Sequence, residues 1–374
     1  MHTESPHNSL FRRLLKKPAA VVSLLLIAIT ILCAVFAYIL APDKTPNANR
    51  MSIELGARPP GFKTTMLLVP KGLPPQQTPF FKKLFTGAPD AFQWLPINGY
   101  TFADDTLVAR HYIDDGLEDT LRFPLAQLLP PERHHQSLVA QQAYLKAAQI
   151  RSMTFHLGTD RYGRDILSRL LVGARVSLGV GFVAMLISLT LGVLLGMIAG
   201  YFKGLADDVV MWFVNLFYAI PTLLLVFAIT ITLGKGFWEI FVAIGLTMWV
   251  GTARLVRGQV LVLREMDFVV AARALGLGSL RIMWRHILPN IAGPLMVLAA
   301  SNFAAAMLIE AGLSFLGIGV QPPMPSWGLM IKEHYNFLVT NRPMLALIPG
   351  VAIMVLVFAF QLLGNALRDV LDVR

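Results

Sequence analysis

Few residues in this chain have the type and spacing that catalysis or metal binding requires. Cys33 is the single cysteine, so an internal disulfide, a CxxC redox pair and a multi-cysteine zinc site are excluded. The eight histidines show no HExxH spacing, and the adjacent pair His134-His135 has no further partners, which favours a solvated loop over a metal site. No Gly-x-x-x-x-Gly-Lys-Ser/Thr sequence is present, and Gly234-Lys235-Gly236 is predicted to be only a turn. The sequence therefore predicts no catalytic residue, no cofactor on this chain and no metal ligand.

The composition explains why such residues are scarce. Of 374 residues, 55% are hydrophobic and 14% are charged, against ~25% charged in soluble domains. An ordinary soluble enzyme is excluded. The net charge of +10 would suggest nucleic acid as a partner of a soluble protein, but in a membrane protein it fits Lys and Arg retained in loops.

Uncharged runs long enough to cross a bilayer predict the membrane topology. The first, Pro18–Ala41, has 24 residues and no small-residue cleavage motif, so it is predicted to be a retained helix and not a signal peptide. A weaker run, about Phe237–Ala253, carries Glu239 at one end. The six predicted transmembrane helices are 18–41, 176–202, 209–234, 237–253, 287–309 and 343–367.

The distribution of Lys and Arg predicts the orientation, because cytoplasmic loops retain basic residues. With the N-terminus inside, the cytoplasmic segments hold thirteen basic residues and the short external loops hold three. The thirteen are Arg12, Arg13, Lys16, Lys17, Lys203, Arg254, Arg257, Arg264, Arg273, Arg281, Arg285, Arg368 and Arg374. The three are Lys235, Lys332 and Arg342. Both termini are therefore predicted to be cytoplasmic, with residues 1–17 forming the N-terminal tail.

Residues 42–155, between the first two helices, are predicted to form a folded extracytoplasmic insert. Residues 42–175 hold sixteen basic and twelve acidic residues, a composition like that of a small soluble domain. The alternation of Tyr100–Ile113 around Asp104-Asp105 predicts a β-hairpin, and Ser137–Ile150 has a modest helical pattern. Pro70–Pro79 is predicted to be a linker or irregular loop. The insert is thus of mixed α/β type.

A cytoplasmic loop of 33 residues, 254–286, is longer than a simple turn and therefore suggests a docking partner. Phe268, Ala271, Ala272 and Leu275 follow helical spacing and predict one apolar stripe whose alanines allow close approach. Gly276 and Gly278 should end this helix, and Ser279 could cap a second one. That second helix would carry an apolar face formed by Leu280, Met283, Trp284 and Ile287. An interfacial hairpin lying on anionic lipid is the alternative.

At these residues the sequence resembles the inner-membrane permease subunits of binding-protein-dependent ABC importers. Their loop motif is Glu-Ala-Ala, three residues, Gly, nine residues, an apolar residue, one more, then Leu-Pro. Ala271, Ala272, Gly276, Leu288 and Pro289 fall on that spacing. Val270 replaces the Glu, and His286 replaces the usual apolar residue.

Three further stretches resemble the C-type permeases of the oligopeptide, dipeptide and nickel branch. The first is His156–Asp160, Gly163–Asp165, Ser168-Arg169 and Gly173–Leu178; the second is Gly200-Tyr201 with Gly204 and Asp207; the third is Leu313–Gly317, Gln321–Pro323 and Pro325–Gly328. The resemblance covers the first helix and residues 156–374. It implies an all-α polytopic membrane protein of the type I ABC importer permease fold, with the insert placed between helices 1 and 2.

The same resemblance implies the function and the partners. The chain would be a permease subunit that moves peptides and binds no ATP itself. Two ATPase subunits or a fused pair, using ATP and Mg, would dock on the loop, and a second homologous permease and an extracytoplasmic binding protein would complete the importer. The implied contacts to the ATPase are the loop residues, Phe268, Ala271, Ala272, Leu275, Gly276, Leu280, Leu288 and Pro289.

Polar residues inside the predicted spans are candidates for the translocation pathway. Glu310 lies near the outer end of the fifth span, where an ionised group needs a partner or water; pairing with Lys332 or Arg342 is the structural alternative. Asn215 and Asn302 could line the pathway, although interhelical hydrogen bonds are favoured. Gly192, Gly196 and Gly200 form a small-residue stripe that predicts close helix packing. Pro221, Pro289, Pro294 and Pro349 interrupt spans and are expected to bend them.

The sequence is also compatible with other functions. The solute could be nickel or another small molecule, because specificity would lie mainly with the binding protein. An ATP-independent sensory or regulatory membrane protein is a second class. An intramembrane enzyme is disfavoured, because Asp is absent from all six runs and their serines have no neighbouring base.

Overall fold

A computed structural model describes residues 12–72, 79–234, 236–340 and 342–371. Five of its helices are long and apolar enough to cross a membrane: Pro18–Val35, Ile166–Phe202, Phe237–Leu263, Ser279–Leu316 and Met344–Leu371. A sixth candidate is a pair of helices, Leu205–Tyr218 and Thr222–Leu233, bent by 94° at a short break. Lys235, Arg374, residues 1–11 and most of the Pro-rich stretch lie outside the described residues.

Shorter helices lie between these spans, and all helices are numbered here in chain order. We number the helices α1 Pro18–Val35, α2 Phe80–Thr86, α3 Leu138–Ala148, α4 Ile166–Phe202, α5 Leu205–Tyr218, α6 Thr222–Leu233, α7 Phe237–Leu263, α8 Asp267–Ala274, α9 Ser279–Ile282, α10 Leu288–Leu316, α11 Trp327–His334 and α12 Met344–Leu371. Two further helices have four residues each. Ala37–Leu40 follows α1, and Leu125–Leu128 follows the strand Leu117–Pro124 of the insert.

Several predicted helix ends differ from those observed. The second helix starts ten residues earlier than predicted, at Ile166, and the fourth continues to Leu263 through residues assigned to the loop. Both predicted ends lie next to arginines, because a charged residue in a sequence indicates the end of a membrane span. In the structure Arg169 lies in a buried ion pair with Glu333, and Arg257 pairs with Asp207 on α5. A partnered arginine can therefore belong to a long helix.

The third predicted span is not one straight helix. The chain turns at Ala219 and Ile220, and Pro221 precedes α6. Proline lacks the amide hydrogen that a continuous helix needs at this position, and it disfavours the helical conformation of the residue before it. The bend of 94° follows from this break. Pro294 and Pro349, by contrast, lie inside α10 and α12.

Helices α4 and α7 pack through the predicted small-residue stripe. An ideal Cβ at Gly196 would lie 2.6 Å from the Ala253 carbonyl oxygen and 2.8 Å from Val256 Cβ. Gly192 and Gly200 meet Thr252 and Val260 in the same way. The absence of side chains at these glycines lets the two backbones approach closely.

Gly196→Ala should therefore destabilise the protein, because overpacking a close helix contact costs about 1–3 kcal/mol. Gly258→Ala is the matched control, since nothing lies within 4 Å of a Cβ at Gly258. Thermal unfolding in detergent should show a lower midpoint for Gly196→Ala only. Equal midpoints for the two variants would show that this contact is not tight.

The insert contains a five-stranded antiparallel sheet in the order β4-β3-β2-β1-β5. Its strands are β1 Phe62–Pro70, β2 Phe92–Ala103, β3 Thr106–Asp114, β4 Leu117–Pro124 and β5 Ile150–Phe155. The predicted hairpin is present as β2 and β3 joined at Asp104-Asp105, and the predicted helix is α3. One face of the sheet packs around Leu67, Leu107 and Leu145, all fully buried.

Candidate functional site

The loop between the fourth and fifth spans folds as a helical hairpin. We call Asp267–Ile287 the loop hairpin; it consists of α8, a turn at Gly276, and α9 with the π-helical residues Met283–Ile287. Gly276 has a φ of +77°, which glycine adopts without steric cost. The Leu277 amide donates to the Ala272 carbonyl (3.2 Å) and the Gly276 amide to that of Arg273 (3.0 Å), which closes α8.

The second limb of the hairpin is continuous with a membrane span. Residues Ser279–Leu316 form one helical stretch of 38 residues that includes Pro289 and Pro294. The predicted cap at Ser279 is wrong: Gly278 occupies the capping position, and the Ser279 side chain makes no cap hydrogen bond. A movement of the hairpin is thereby connected directly to α10.

One face of the hairpin packs on its own chain. Val269, Ala272, Ile282, Met283 and Ile287 are buried in a cluster with Val256, Val260 and Tyr201. The prediction that Ala272 belongs to an outward stripe with Phe268 is therefore wrong, since Ala272 is only 4% exposed. Its small side chain is accommodated within this buried cluster.

The opposite face presents apolar side chains to solvent. Leu275 is 81% exposed and Leu280 69% exposed, on either side of the Gly276 turn. Phe268, Val270 and Trp284 are also exposed, and Ala271 lies beside them. The four residues predicted to share one face of the second helix are divided, because Met283 and Ile287 point inward while Leu280 and Trp284 point outward. Of the Leu-Pro pair, Leu288 is half-buried and Pro289 exposed.

Polar contacts join the end of α7, just before the hairpin, to neighbouring helix ends. Arg257 donates to both oxygens of Asp207, at 2.5 and 2.6 Å. Lys203 Nζ lies 3.1 Å from Glu265, and this hydrogen bond keeps the pKa of the Glu265 carboxyl below its usual value. Arg264 donates to the Tyr201 carbonyl. The end of α7, from which the hairpin starts, is therefore held against the ends of α4 and α5.

A second polar centre lies at the opposite end of the spans, which we call the insert end. Arg164 Nε lies 2.5 Å from Asp160, and Arg164 and Arg169 lie 2.9 and 3.1 Å from Glu333. Asp160, Arg164 and Arg169 are at most 2% exposed. We call Asp160, Arg164, Arg169 and Glu333 the ionic cluster. It joins the segment that enters α4 to α11.

The ionic cluster is poorly suited to hold a metal. Asp160, Glu333 and His334 offer ligand atoms within 4.8 Å of one another. However, the two carboxylates already face two guanidinium groups, whose positive charge opposes a cation. Burial keeps the pKa of His334 below its usual value, and its Nδ1 lies 2.7 Å from the Met330 carbonyl. The arrangement is that of a structural ion-pair network.

The three polar candidates within the spans make different contacts. Glu310 is 1% exposed and accepts a hydrogen bond from Ser314 Oγ at 2.7 Å. The predicted alternative, a pair with Lys332 or Arg342, is not found among the described residues. Asn302 donates to Ser188 and Thr252, at 3.1 and 3.2 Å, and so joins α10 to α4 and α7. Asn215 accepts from Arg254 at 2.9 Å.

Comparison with known proteins decides the family. The profile of the family described as "Binding-protein-dependent transport system inner membrane component" matches residues 192–374. That of the "N-terminal TM domain of oligopeptide transport permease C" matches residues 5–60. The glutathione transport system permease protein of Pectobacterium atrosepticum is 40% identical over 216 residues, 58% of this chain and 71% of that protein. The chain belongs to this permease family.

Other relatives agree with that assignment. The di/tripeptide transport system permease protein of Pseudomonas aeruginosa is 40% identical over 243 residues, 65% of this chain and 79% of the relative. The nickel transport system permease protein of Escherichia coli is 41% identical over 216 residues, 58% of this chain and 78% of the relative. A solved methionine ABC transporter aligns with 54% of this chain and 96% of its own, at 21% identity and a TM-score of 0.44.

The permease assignment confirms the fold class predicted from sequence, a mostly helical multi-pass membrane protein with a mixed α/β insert. It also confirms the resemblance to the C-type branch of peptide and nickel permeases. The family is one of transport components that work with a binding protein.

Two of the stretches that resemble permeases, His156–Leu178 and Leu313–Gly328, meet at the insert end. Trp327 Nε1 donates to the Leu170 carbonyl at 2.9 Å, and Ser326 caps α11 through the Leu329 amide. Glu333 was not predicted as a functional residue, because it lies outside every motif. A usable signal would have been the excess of arginine next to this span, since residues 160–169 hold three arginines and two aspartates.

Proposed function

We propose that this permease is the peptide-conducting subunit of an ATP-driven importer, with both termini in the cytoplasm. The proposal of peptides is supported by relatives whose names specify di/tripeptide and glutathione transport, at 40% identity each. Nickel is the alternative solute, because a nickel permease is similar at 41% identity.

The observation that carries the proposal is the exposed apolar turn of the loop hairpin. Leu275 and Leu280 project from a segment whose other face is fixed to the chain. Exposed apolar side chains on a rigid support are typical of a protein interface. In this proposal an ATPase subunit covers Leu275 and Leu280, with Phe268 and Ala271 at the margin, while Ala272 and Gly276 shape the hairpin.

The proposed partners divide the work of transport. Two ATPase subunits, or a fused pair, bind ATP and Mg, a second and distinct permease forms the other half of the pathway, and a binding protein delivers the solute at the insert side. Closure of the ATPase pair would displace the loop hairpin, and α10 would carry that displacement to Glu310 as the permeases rock. Glu310, Asn215 and Asn302 lie on the helices that would move.

Purification of the tagged permease from its native membranes, followed by mass spectrometry, tests the partners. We expect a P-loop ATPase, a second permease and a binding protein in stoichiometric amounts. Purification of the permease without any P-loop protein would contradict the proposal.

Uptake into proteoliposomes that contain the complex tests the solute. Labelled dialanine should accumulate only with the binding protein outside and ATP inside. ATP-dependent uptake of radioactive nickel, without uptake of the dipeptide, would show that the solute is nickel and not a peptide. Uptake of dipeptide that does not depend on ATP would contradict the proposal that ATP drives transport.

A further inference from the structure

A long apolar groove lies between the first two spans. It has a volume of about 780 Å³, and its two walls are formed by Ile27–Tyr38 and Val172–Met185. Phe303 and Phe360, whose ring centroids lie 3.9 Å apart, form its inner end. The groove opens sideways beside exposed apolar side chains, among them Ile31 and Phe182, which are 44% and 53% exposed.

The length and position of the groove match one leaflet of a bilayer. Its wall on α1 and the following short helix covers residues 27–38, or about 16 Å at ~1.5 Å per residue. Half of a hydrocarbon core of ~30 Å is about 15 Å. Tyr38 lies at the end of the first span, next to the insert, so the groove runs from the insert end to the middle of the spans.

Arg175 is the one cation among the described residues that line this groove, and it lies at the insert end. Arg175 Nη1 donates to the Phe85 carbonyl at 2.9 Å, and the guanidinium lies over the rings of Tyr38 and Phe85 at 5.2 and 5.3 Å. Among the described residues, no carboxylate lies within ion-pair distance of Arg175. The groove therefore presents an uncompensated positive charge at its polar end and apolar walls below it.

The insert completes this end of the groove. Helix α2 has the sequence Phe80-Phe81-Lys82-Lys83-Leu84-Phe85-Thr86, and Phe80, Phe81 and Phe85 are exposed. The Ala88 amide donates to the Lys44 carbonyl at 2.9 Å, which fixes the end of α2 next to the first span. An exposed aromatic helix with two lysines, fixed at the end of a membrane helix, fits the headgroup region of a bilayer.

We propose that this groove binds one glycerophospholipid of the leaflet on the insert side. An acyl chain lies between α1 and α4 and reaches Phe303 and Phe360. The phosphate pairs with Arg175, whose guanidinium forms no ion pair with a carboxylate among the described residues. Apolar walls favour the acyl chain, and a charge-assisted hydrogen bond from guanidinium to phosphate is the strong polar contact expected at the rim.

Photolabelling of the complete transport complex tests the site. The complex, stripped of lipid in detergent, is incubated with phosphatidylglycerol that carries a photoreactive group on one acyl chain. Mass spectrometry after illumination should locate the label on peptides from 27–38 and 172–185. Labelling elsewhere in proportion to surface exposure would overturn the proposal.

Two glycines provide a matched pair of variants. Nothing lies within 4 Å of a Cβ at Gly179, which lines the groove, or at Gly350, which does not. Gly179→Leu should lower labelling of the two groove peptides about tenfold, equivalent to ~1.4 kcal/mol of affinity. Gly350→Leu should leave the labelling unchanged. Equal labelling in the two variants would overturn the site.

The polar end of the groove is tested separately. The same experiments distinguish a bound lipid from a second permease chain that fills the groove. Arg175→Gln should lower labelling, and Arg175→Lys should restore most of it, because the lysine keeps the charge. A photoreactive amino acid in place of Phe182 should crosslink to phospholipid in native membranes. Its crosslinking to a second permease chain would show that the groove is a protein interface and would overturn the lipid site.

Discussion

Glu333→Ala should lower the stability of this permease more than any surface substitution. The side chain is 7% exposed and compensates two guanidinium groups, those of Arg164 and Arg169, which are almost fully buried. Removing one partner of a buried ion pair leaves uncompensated charge and costs about 3–5 kcal/mol. Thermal unfolding of the purified complex in detergent, followed by tryptophan fluorescence, measures the effect.

Asp369→Asn provides the matched control for that experiment. Asp369 pairs with Lys17 at 2.9 Å, but its side chain is 62% exposed. An exposed pair contributes about 0–1 kcal/mol, so its loss should shift the unfolding midpoint little. If Glu333→Ala unfolds at the same temperature as Asp369→Asn, the ionic cluster does not hold the insert end together.

Simultaneous replacement of Leu275 and Leu280 by aspartate should abolish ATP-driven transport and leave the fold intact. Both side chains are largely exposed, so the carboxylates remain solvated in the isolated permease. At an interface, loss of a central apolar contact costs about 2 kcal/mol or more, which is roughly thirtyfold in affinity. Binding of the purified ATPase and transport in proteoliposomes should both fall by at least this factor.

Val339→Asp is the control for the loop hairpin. Val339 is 93% exposed, and it lies between the last two spans, at the insert end. Its replacement should leave ATPase binding and transport at the wild-type level. Wild-type transport by the Leu275/Leu280 variant would contradict docking at the hairpin.

The choice of exposed residues matters for this test. Ala272→Glu would place a carboxylate in the cluster that contains Val256 and Val260, and Gly276→Trp would force a bulky residue into a turn with φ of +77°. Either change would disturb the hairpin itself. A loss of coupling in those variants would therefore not separate docking from folding.

The topology was accessible to sequence analysis because a bilayer demands long uncharged helices. Helix ends were less accessible, since they depend on partners that are distant in the chain. Arg169 is compatible with a long α4 only because Glu333 lies beside it, 164 residues later. The bend at Pro221 could be expected from the residue type, but its angle could not.

The loop hairpin illustrates a different limit. The glycine spacing gave the turn, but the face that packs inward was predicted incorrectly at Ala272. Apolar residues occupy both sides of the hairpin, and periodicity alone does not distinguish a face that packs on the chain from one that meets a partner. In the insert, the β2–β3 hairpin followed from local alternation. The pairing of β1 with β5, such as Phe62 with Phe155, is too distant in sequence to be read from it.

Because Ser279–Leu316 is one continuous helix, its length determines how far a tilt at one end displaces the other end. A helical rod of this size is about 57 Å long at ~1.5 Å per residue. Pivoting such a lever by about 5° at the Leu280 end sweeps the far end through roughly 5 Å, close to one helical turn. Glu310 lies on the distant arm, so a small tilt imposed at one membrane face becomes a displacement of atomic dimensions at the other.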